Sequence, residues 1–237
     1  MKRKHDISTG EGYMPGLAID CVIFGYHANQ LKILLLEYQD TGLFALPGGF
    51  IGVDEDMNAA ARRILADRTT LKNIYLEQFH TFGDTSRHDP APLRAIMKAK
   101  HMNFTRDHWL LARFVTTGYY ALVDFEKAVP LPDLLSDNCA WFDLGRLPKL
   151  MLDHKAIVAK ALETLRITID RKTWTAPLLP DAFTMNDLQR LYETVLGEKL
   201  NRTAFHRKML SLGVLERIEK KYTGLAHKSP YLYRFVR

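Results

Sequence analysis

The chain has 237 residues, 47% hydrophobic and 25% charged, with a net charge of +6; this balance excludes disordered and fibrous classes and leaves length for two modest domains. Two cysteines, Cys21 and Cys139, stand in no CxxC or metal-ligand spacing, so buried reduced thiols are expected rather than a disulfide or a metal centre. Neither an apolar run of spanning length nor a signal-like segment behind the start MKRKHD is visible, which predicts a soluble cytoplasmic protein with no membrane partner.

In chain order, residues 1–12 read as a basic, flexible start. Residues 17–24 (LAIDCVIF) and 31–37 (LKILLLE) are apolar, β-branched-rich runs separated by GYHANQ, a hairpin-like pair of strands. Gly48 and Gly49 suit a tight turn, and Asp54, Glu55 and Asp56 suit a helix start, where the dipole favours negative charge. Met57, Ala60, Ala61, Ile64 and Leu65 then recur at helical spacing to form one buried face. A strand is expected at 74–82. The segment DTSRHDPAP at 84–92 is a loop whose charged members Asp84, Arg87, His88 and Asp89 read either as solvated groups or as ligand contacts.

Residues 93–106 read as a short basic helix with an irregular end, and 109–123 (WLLARFVTTGYYALV) as a central strand bulged near Gly118. A strand at 140–144 and a helix from Asp153 to about residue 165 complete the body. In that helix Asp153 is the expected N-cap, His154 an exposed ring, and Ile157, Val158, Ala161, Leu162 and Leu165 the inward stripe. The periodicity lapses at 166–180, where the connection between domains is expected.

A second module follows. Thr184 and Asp187 make a capping-box-like pair ahead of a helix that carries Leu188, Leu191, Tyr192, Val195 and Leu196 on one face and stops at Gly197. Asn201 is placed to cap a second helix over 202–212, with Phe205, Met209 and Leu212 inward and Arg202, Thr203, His206, Arg207 and Lys208 largely outside. After Gly213, short strands at 214–218 and 231–235 flank the loop EKKYTGLAHKSP. Two capped helices and a basic hairpin make a winged helix-turn-helix. From Lys199 onward ten basic residues face two acidic ones, so double-stranded DNA is the expected partner, with RNA as the alternative. Arg202, Thr203, His206 and Arg207 are the candidate base readers, and Lys208, Lys220, Lys221 and Lys228 the candidate phosphate contacts.

The stretch from Gly48 to Leu71 resembles a Nudix box, G-x5-E-x7-R-E-U-x-E-E-x-G-U, with Gly49, Glu55, Arg63, Leu65 and Leu71 in register. Where the family's box has its three ligand glutamates this chain has Ile64, Asp67 and Arg68, and Thr70 stands at the late glycine. A magnesium ion needs several hard oxygen ligands converging from one helix face, and Arg68 puts a fixed cation there instead. The expectation is therefore no catalytic residues, no metal and no cofactor, with Glu55 and Arg63 bracing loop against helix, as the family pattern implies.

A degenerate Nudix domain followed by Phe183, Thr184, Leu188, Gln189, Leu191, Tyr192, Glu193 and Gly197, then Phe205, Lys208 and the closing Tyr231, Leu232, Tyr233 and Phe235, is similar to the Nudix-related transcriptional regulators of bacteria. The resemblance implies an α+β or α/β fold: a Nudix mixed-sheet sandwich over 13–165 and a smaller winged helix-turn-helix over 181–237. It also implies a homodimer on a palindromic operator and a small-molecule effector at the Nudix domain that loosens the grip. One branch senses ADP-ribose and controls NAD biosynthesis genes, and another responds to arabinose. Arg68, Asp67, Asp84, Arg87 and Asp89 are the candidate effector contacts. The segment after Arg87 departs from the family's Arg-Asp-Pro-rich stretch by extra residues to about Trp109. The alternative from a different class is a Nudix hydrolase of ADP-ribose or a nucleotide sugar with an accessory nucleic-acid-binding domain.

Overall fold

The longest strand, β1 (Tyr13–His27), organises the N-terminal half of the protein, a computed structural model that describes residues 6–72, 74–170, 177–220 and 229–236. Every residue from Ile19 to Phe24 in it is buried except for a trace of Asp20, so both faces of the strand are covered. β2 (Gln30–Tyr38), β3 (Leu43–Ala45), β4 (Gly48–Gly52), β5 (Leu76–Phe82), β6 (Val115–Leu122) and β7 (Asn138–Asp143) join it in a mixed sheet of order β3-β2-β1-β6-β5, with β4 paired to β1 and β7 to β2. β1 and β6 run parallel; the other pairs are antiparallel.

Side chains alternate across such a sheet. Ile19, Cys21 and Ile23 pack on α1 (Met57–Thr69) through Ala60, Ala61, Ile64 and Leu65, while Val22 and Phe24 pack on α3 (His154–Thr168) through Ile157, Val158, Ala161 and Leu165. Burying each of the larger aliphatic side chains contributes about 1.5–3 kcal/mol. Both cysteines are free and buried, and burial pushes the Cys139 thiol up to about 11.

The glycine pair is not in a turn. Gly48 and Gly49 lie inside β4, and glycine at 48 answers a close approach: a Cβ there would sit 2.8 Å from the Ile19 carbonyl oxygen and 2.8 Å from Asp20 Oδ1. Of the three acidic residues before α1, Asp56 is the cap, accepting from the Ala59 N–H at 2.8 Å. The expected basic helix is α2 (Ala91–Ala99). The apolar run from Trp109 does not begin as strand. Trp109–Leu111 is a 3-10 turn, capped by His108 and held by aromatic packing, and β6 starts only at Val115. The irregularity expected near Gly118 falls on its partner, between Gln78 and His80 of β5, where the Phe79 ring would meet a Cβ on Gly118 at 2.6 Å.

The C-terminal module is β8 (Phe183–Thr184), α4 (Met185–Leu196), α5 (Arg202–Ser211), β9 (Leu215–Lys220) and β10 (Tyr231–Phe235), the strands forming a sheet β8-β10-β9. Thr184 and Asp187 form a reciprocal capping box, Asn201 accepts from the Ala204 N–H, and Gly197 and Gly213 are left-handed, as their positions demanded. Leu212, expected inward, is 42% exposed. The connection is less of a break than its sequence suggested. α3 runs through Arg166 to Thr168, Ile169 is buried, and the Tyr192 hydroxyl donates to the Ile169 carbonyl at 3.2 Å. Leu178 and Leu179, also expected in a connection, are buried in the same apolar cluster. That cluster is continuous from α3 to α4 and α5, uniting Leu165 and Ile169 with Leu188, Leu191, Tyr192, Phe205 and Met209.

Candidate effector cavity and nucleic-acid interface

The start of β1, β4, the end of α1 and the start of α3 enclose a cavity of about 450 Å3. One side is apolar and aromatic, with Ile7, Tyr13, Phe50, Leu93, Leu110 and Phe114 among its lining residues. Trp109 holds this wall together: it stacks on Tyr13 at 5.5 Å and meets Phe50 edge-on at 4.6 Å, while its Nε1–H donates to the Ile7 carbonyl at 2.8 Å. Residues 6–12, expected as part of a flexible start, are thereby pinned against the cavity, with a second contact from His108 Nε2 to the Ser8 carbonyl at 2.9 Å.

The charged group that meets this wall is buried. Arg87 is 8% exposed. Its Nε and Nη2 donate to both carboxylate oxygens of Asp153, at 3.0 and 3.1 Å; its Nη1 donates to the Phe114 carbonyl at 2.8 Å; and its Nη2 lies 3.5 Å from Asp20. Asp153 therefore does not cap α3 with its side chain, as its position before the helix had suggested, because the carboxylate turns to Arg87 instead. His154 is not an exposed ring either. It is 5% exposed, its Nδ1 accepts from the Leu46 N–H at 2.9 Å, and its Nε2 faces Asp20 Oδ1 at 3.8 Å. A ring nitrogen that accepts carries no proton, so the proton is on Nε2, toward the carboxylate.

Of the five candidate effector contacts, Asp67, Arg68, Arg87 and Asp89 line this one cavity, as does the neighbouring His88. Asp84 does not: its carboxylate caps the 3-10 turn Thr85–Arg87 by accepting from the Ser86 N–H at 2.8 Å, a bond that lowers its pKa. Arg68 is only partly engaged: its Nη1 donates to the carbonyls of Leu131 and Pro132, just before the lining residues Asp133, Leu134 and Leu135, while its Nε is buried with no hydrogen-bond partner among the described residues. Glu55 and Arg63 make the expected brace. Arg63 donates from Nε and Nη2 to both Glu55 oxygens at 2.9 and 2.8 Å and to the Phe50 carbonyl, and the Glu55 carboxylate raises its pKa. Asp20 and Asp133 were missed; a lone aspartate in the apolar run LAIDCVIF was the available signal for the first.

On α5, Arg202, Thr203 and Arg207 are exposed on one side of the helix, while Phe205 and Met209 anchor the other. His206 is only half available. Its Nε2 is enclosed without a partner, and burial, with Arg202 beside it, lowers its pKa, so the neutral ring is favoured. Lys208, expected to be free for phosphate, pairs with Asp170 at 2.6 Å. Lys220 lies on β9 with its ammonium 5.6 Å from the Tyr231 ring, and Arg217, which the sequence did not suggest, stacks on the same ring at 4.5 Å. Lys221 and Lys228 lie outside the described residues.

Residues 175–235 match a family model described as the NrtR DNA-binding winged helix domain. The chain is 33% identical over 230 residues to the ADPR responsive transcriptional repressor NtrR of Acinetobacter baylyi, covering 94% of this chain and 82% of that protein. Its fold matches NrtR of Shewanella oneidensis with a TM-score of 0.70 at 27% identity, over 93% of this chain and 94% of that one. It also matches the same protein complexed with a 27mer DNA, with a TM-score of 0.70 at 26% identity and 93% coverage of each chain. With both the Nudix-like body and the winged helix shared over nearly the whole length, the chain belongs to the NrtR family of Nudix-related transcriptional repressors.

Proposed function

We propose that this protein is a cytoplasmic repressor that binds a two-fold operator as a homodimer and releases it when ADP-ribose, or a close nucleoside diphosphate sugar, fills the cavity at α1 and α3. The observation that carries this reading is the span of α3: at its start His154 lines the cavity and Asp153 pairs with the lining residue Arg87, and its last turns pack on α4 and bond to it. A ligand that reorganises the Arg87–Asp153 contact acts on a helix whose far end carries the reading head, the winged helix-turn-helix of α4, α5, β9 and β10 with α5 presented to DNA. Both the cavity's chemistry and the relatives support the effector class. The aromatic wall suits a base, and Asp67 and Asp89 at the lining suit ribose hydroxyls.

The box at α1 binds rather than hydrolyses in this reading. Ile64 is buried against the sheet and Arg68 is a fixed cation, so of the three positions that hold metal-ligating glutamates in the family's box only Asp67 keeps a carboxylate, one methylene shorter. A dimer follows from the reading head, because one helix reads a short half-site and a two-fold protein needs a two-fold operator.

The test is direct. Full-length protein is assayed for retention of a DNA duplex carrying its own upstream region, with and without ADP-ribose, and for release of AMP in the presence of magnesium. The reading expects retention that ADP-ribose reverses, and no turnover on the order of one per second, the lower end of ordinary enzyme rates. Magnesium-dependent hydrolysis at such rates, without duplex retention, would select the hydrolase instead.

A further inference from the structure

Among the described residues, Lys208 is the one cation of α5 that has a carboxylate partner, and that partner comes from outside the reading head. Asp170 lies two residues beyond the end of α3, with its Oδ2 2.6 Å from Lys208 Nζ. Its position is fixed rather than incidental, since its neighbour Ile169 is 2% exposed and accepts the Tyr192 hydroxyl. On the other side, Lys208 adjoins Met209, which is 1% exposed in the same apolar cluster. A carboxylate just past a helix C-terminus faces the negative end of the helix dipole, an unfavourable place unless a cation answers it. Both side chains remain open to solvent, at 49% and 42%, so a phosphate can reach the ammonium.

We infer that Asp170 is a positioning residue for DNA binding: it holds the Lys208 ammonium on the protein, so that operator phosphate and Asp170 compete for one cation. This rests on the reading above that α5 is the helix presented to DNA. The pair breaks when Lys208 moves to phosphate, leaving Asp170 solvated, and part of the attraction of DNA for this lysine is spent on displacing the carboxylate. Because Asp170 follows directly on the helix that begins at the effector cavity, the strength of this competition depends on where α3 sits. Asp170 acts through Lys208 and needs no contact of its own with DNA or effector.

The experiment measures binding of full-length protein to a mixed-sequence duplex across salt, for Asp170→Asn, Lys208→Ala and the double variant, with Glu163→Gln as a control that removes an exposed carboxylate of α3 paired with Lys160 one turn away. Asp170→Asn is expected to tighten binding about 1.5- to 5-fold per reading head, the range of an exposed ion pair. It is also expected to steepen the slope of log affinity against log salt by up to about 0.9, one phosphate contact freed from competition. Neither change is expected in the Lys208→Ala background or for Glu163→Gln. A purely structural role would leave the slope alone. If Lys208→Ala weakens binding while Asp170→Asn leaves it unchanged, weakens it, or tightens it equally without Lys208, the competition is wrong and α5 remains the reading helix. If Lys208→Ala, Arg202→Ala and Arg207→Ala all leave binding unchanged, the assignment of α5 itself fails.

Discussion

Arg87 grips both carboxylate oxygens of Asp153, sixty-six residues away in sequence, and thereby ties the loop after β5 to the start of α3 at the charged side of the cavity. With Asp20 also beside it, removing this guanidinium leaves two poorly hydrated carboxylates without their cation. Breaking a buried pair by removing one partner costs about 3–5 kcal/mol. Arg87→Ala should therefore lower the stability measured by urea unfolding by several kcal/mol as well as blunting the response to effector. Arg87→Lys, which keeps the charge and loses the fork, should cost less and still weaken the response. A destabilisation below about 1 kcal/mol for Arg87→Ala would show that the network is not holding α3.

Thr70 occupies the left-handed C-cap of α1 with φ 61°, where the Nudix pattern has glycine. A β-branched residue there is strained by about 1–2 kcal/mol. Part of the relief given by glycine is offset by about 0.4–1 kcal/mol of added unfolded-state entropy. Thr70→Gly should raise unfolding free energy by about 0.5–1 kcal/mol without altering DNA binding. Thr70→Ala, still a left-handed residue with a Cβ, should not.

On the reading head, Arg202 and Arg207 are exposed beside Thr203, whereas Lys220 lies on the wing strand. Arg202→Ala or Arg207→Ala should cost about 1–3 kcal/mol on the operator and relax selectivity at one position. Lys220→Ala should weaken all duplexes alike and reduce the salt slope by about one. Competition assays with operator and scrambled duplexes separate the two. Equal losses on both duplexes for the arginines would move them to the phosphate class.

Glu193 supplies a pH dependence. Lys199, then the Gln189 side chain and the Leu200 N–H, hold its carboxyl at about 2, below the ordinary 4.5. Gln189 also donates to the Leu200 carbonyl, so these two side chains clamp the turn between α4 and α5. The folded-state pKa is depressed, so the ionised carboxylate stabilises the fold above about 4.5, and that stabilisation is lost as pH falls from about 4.5 through about 2. Glu193→Gln should be less stable than the parent at neutral pH, and the gap should close on acidification over that window. High salt should shrink the gap, because the Lys199 side chain is 90% exposed. A gap that is constant with pH would mean that the clamp is not electrostatic.

The signals that proved legible in the sequence are local ones. Thr184 with Asp187, Asn201, Gly197 and Gly213 each act within a few residues, and each appears where its spacing placed it. The brace from Glu55 to Arg63 closes within one loop and two helical turns, so the box frame predicted it. Long-range partners were not legible. Before a helix, Asp153 and His154 look like a cap and a surface ring, and nothing within their neighbourhood announces Arg87, Asp20 or the Leu46 N–H. Trp109 to Leu111 have the composition of a strand, but the pocket formed by Tyr13, Phe50 and Gly10 takes the indole and turns the chain there. The end of α3 was placed too early because Ile169 has its burial partner in Tyr192, on the other module.

Whether the cavity and the reading head share one equilibrium is decided by titrating ADP-ribose into full-length protein on its operator. Operator affinity should fall about 5- to 150-fold at saturation, with an equal fall in ADP-ribose affinity when operator is bound, because coupling between two sites is reciprocal. Binding of ADP-ribose that leaves operator affinity unchanged, in a protein that retains its operator throughout, would contradict a shared equilibrium.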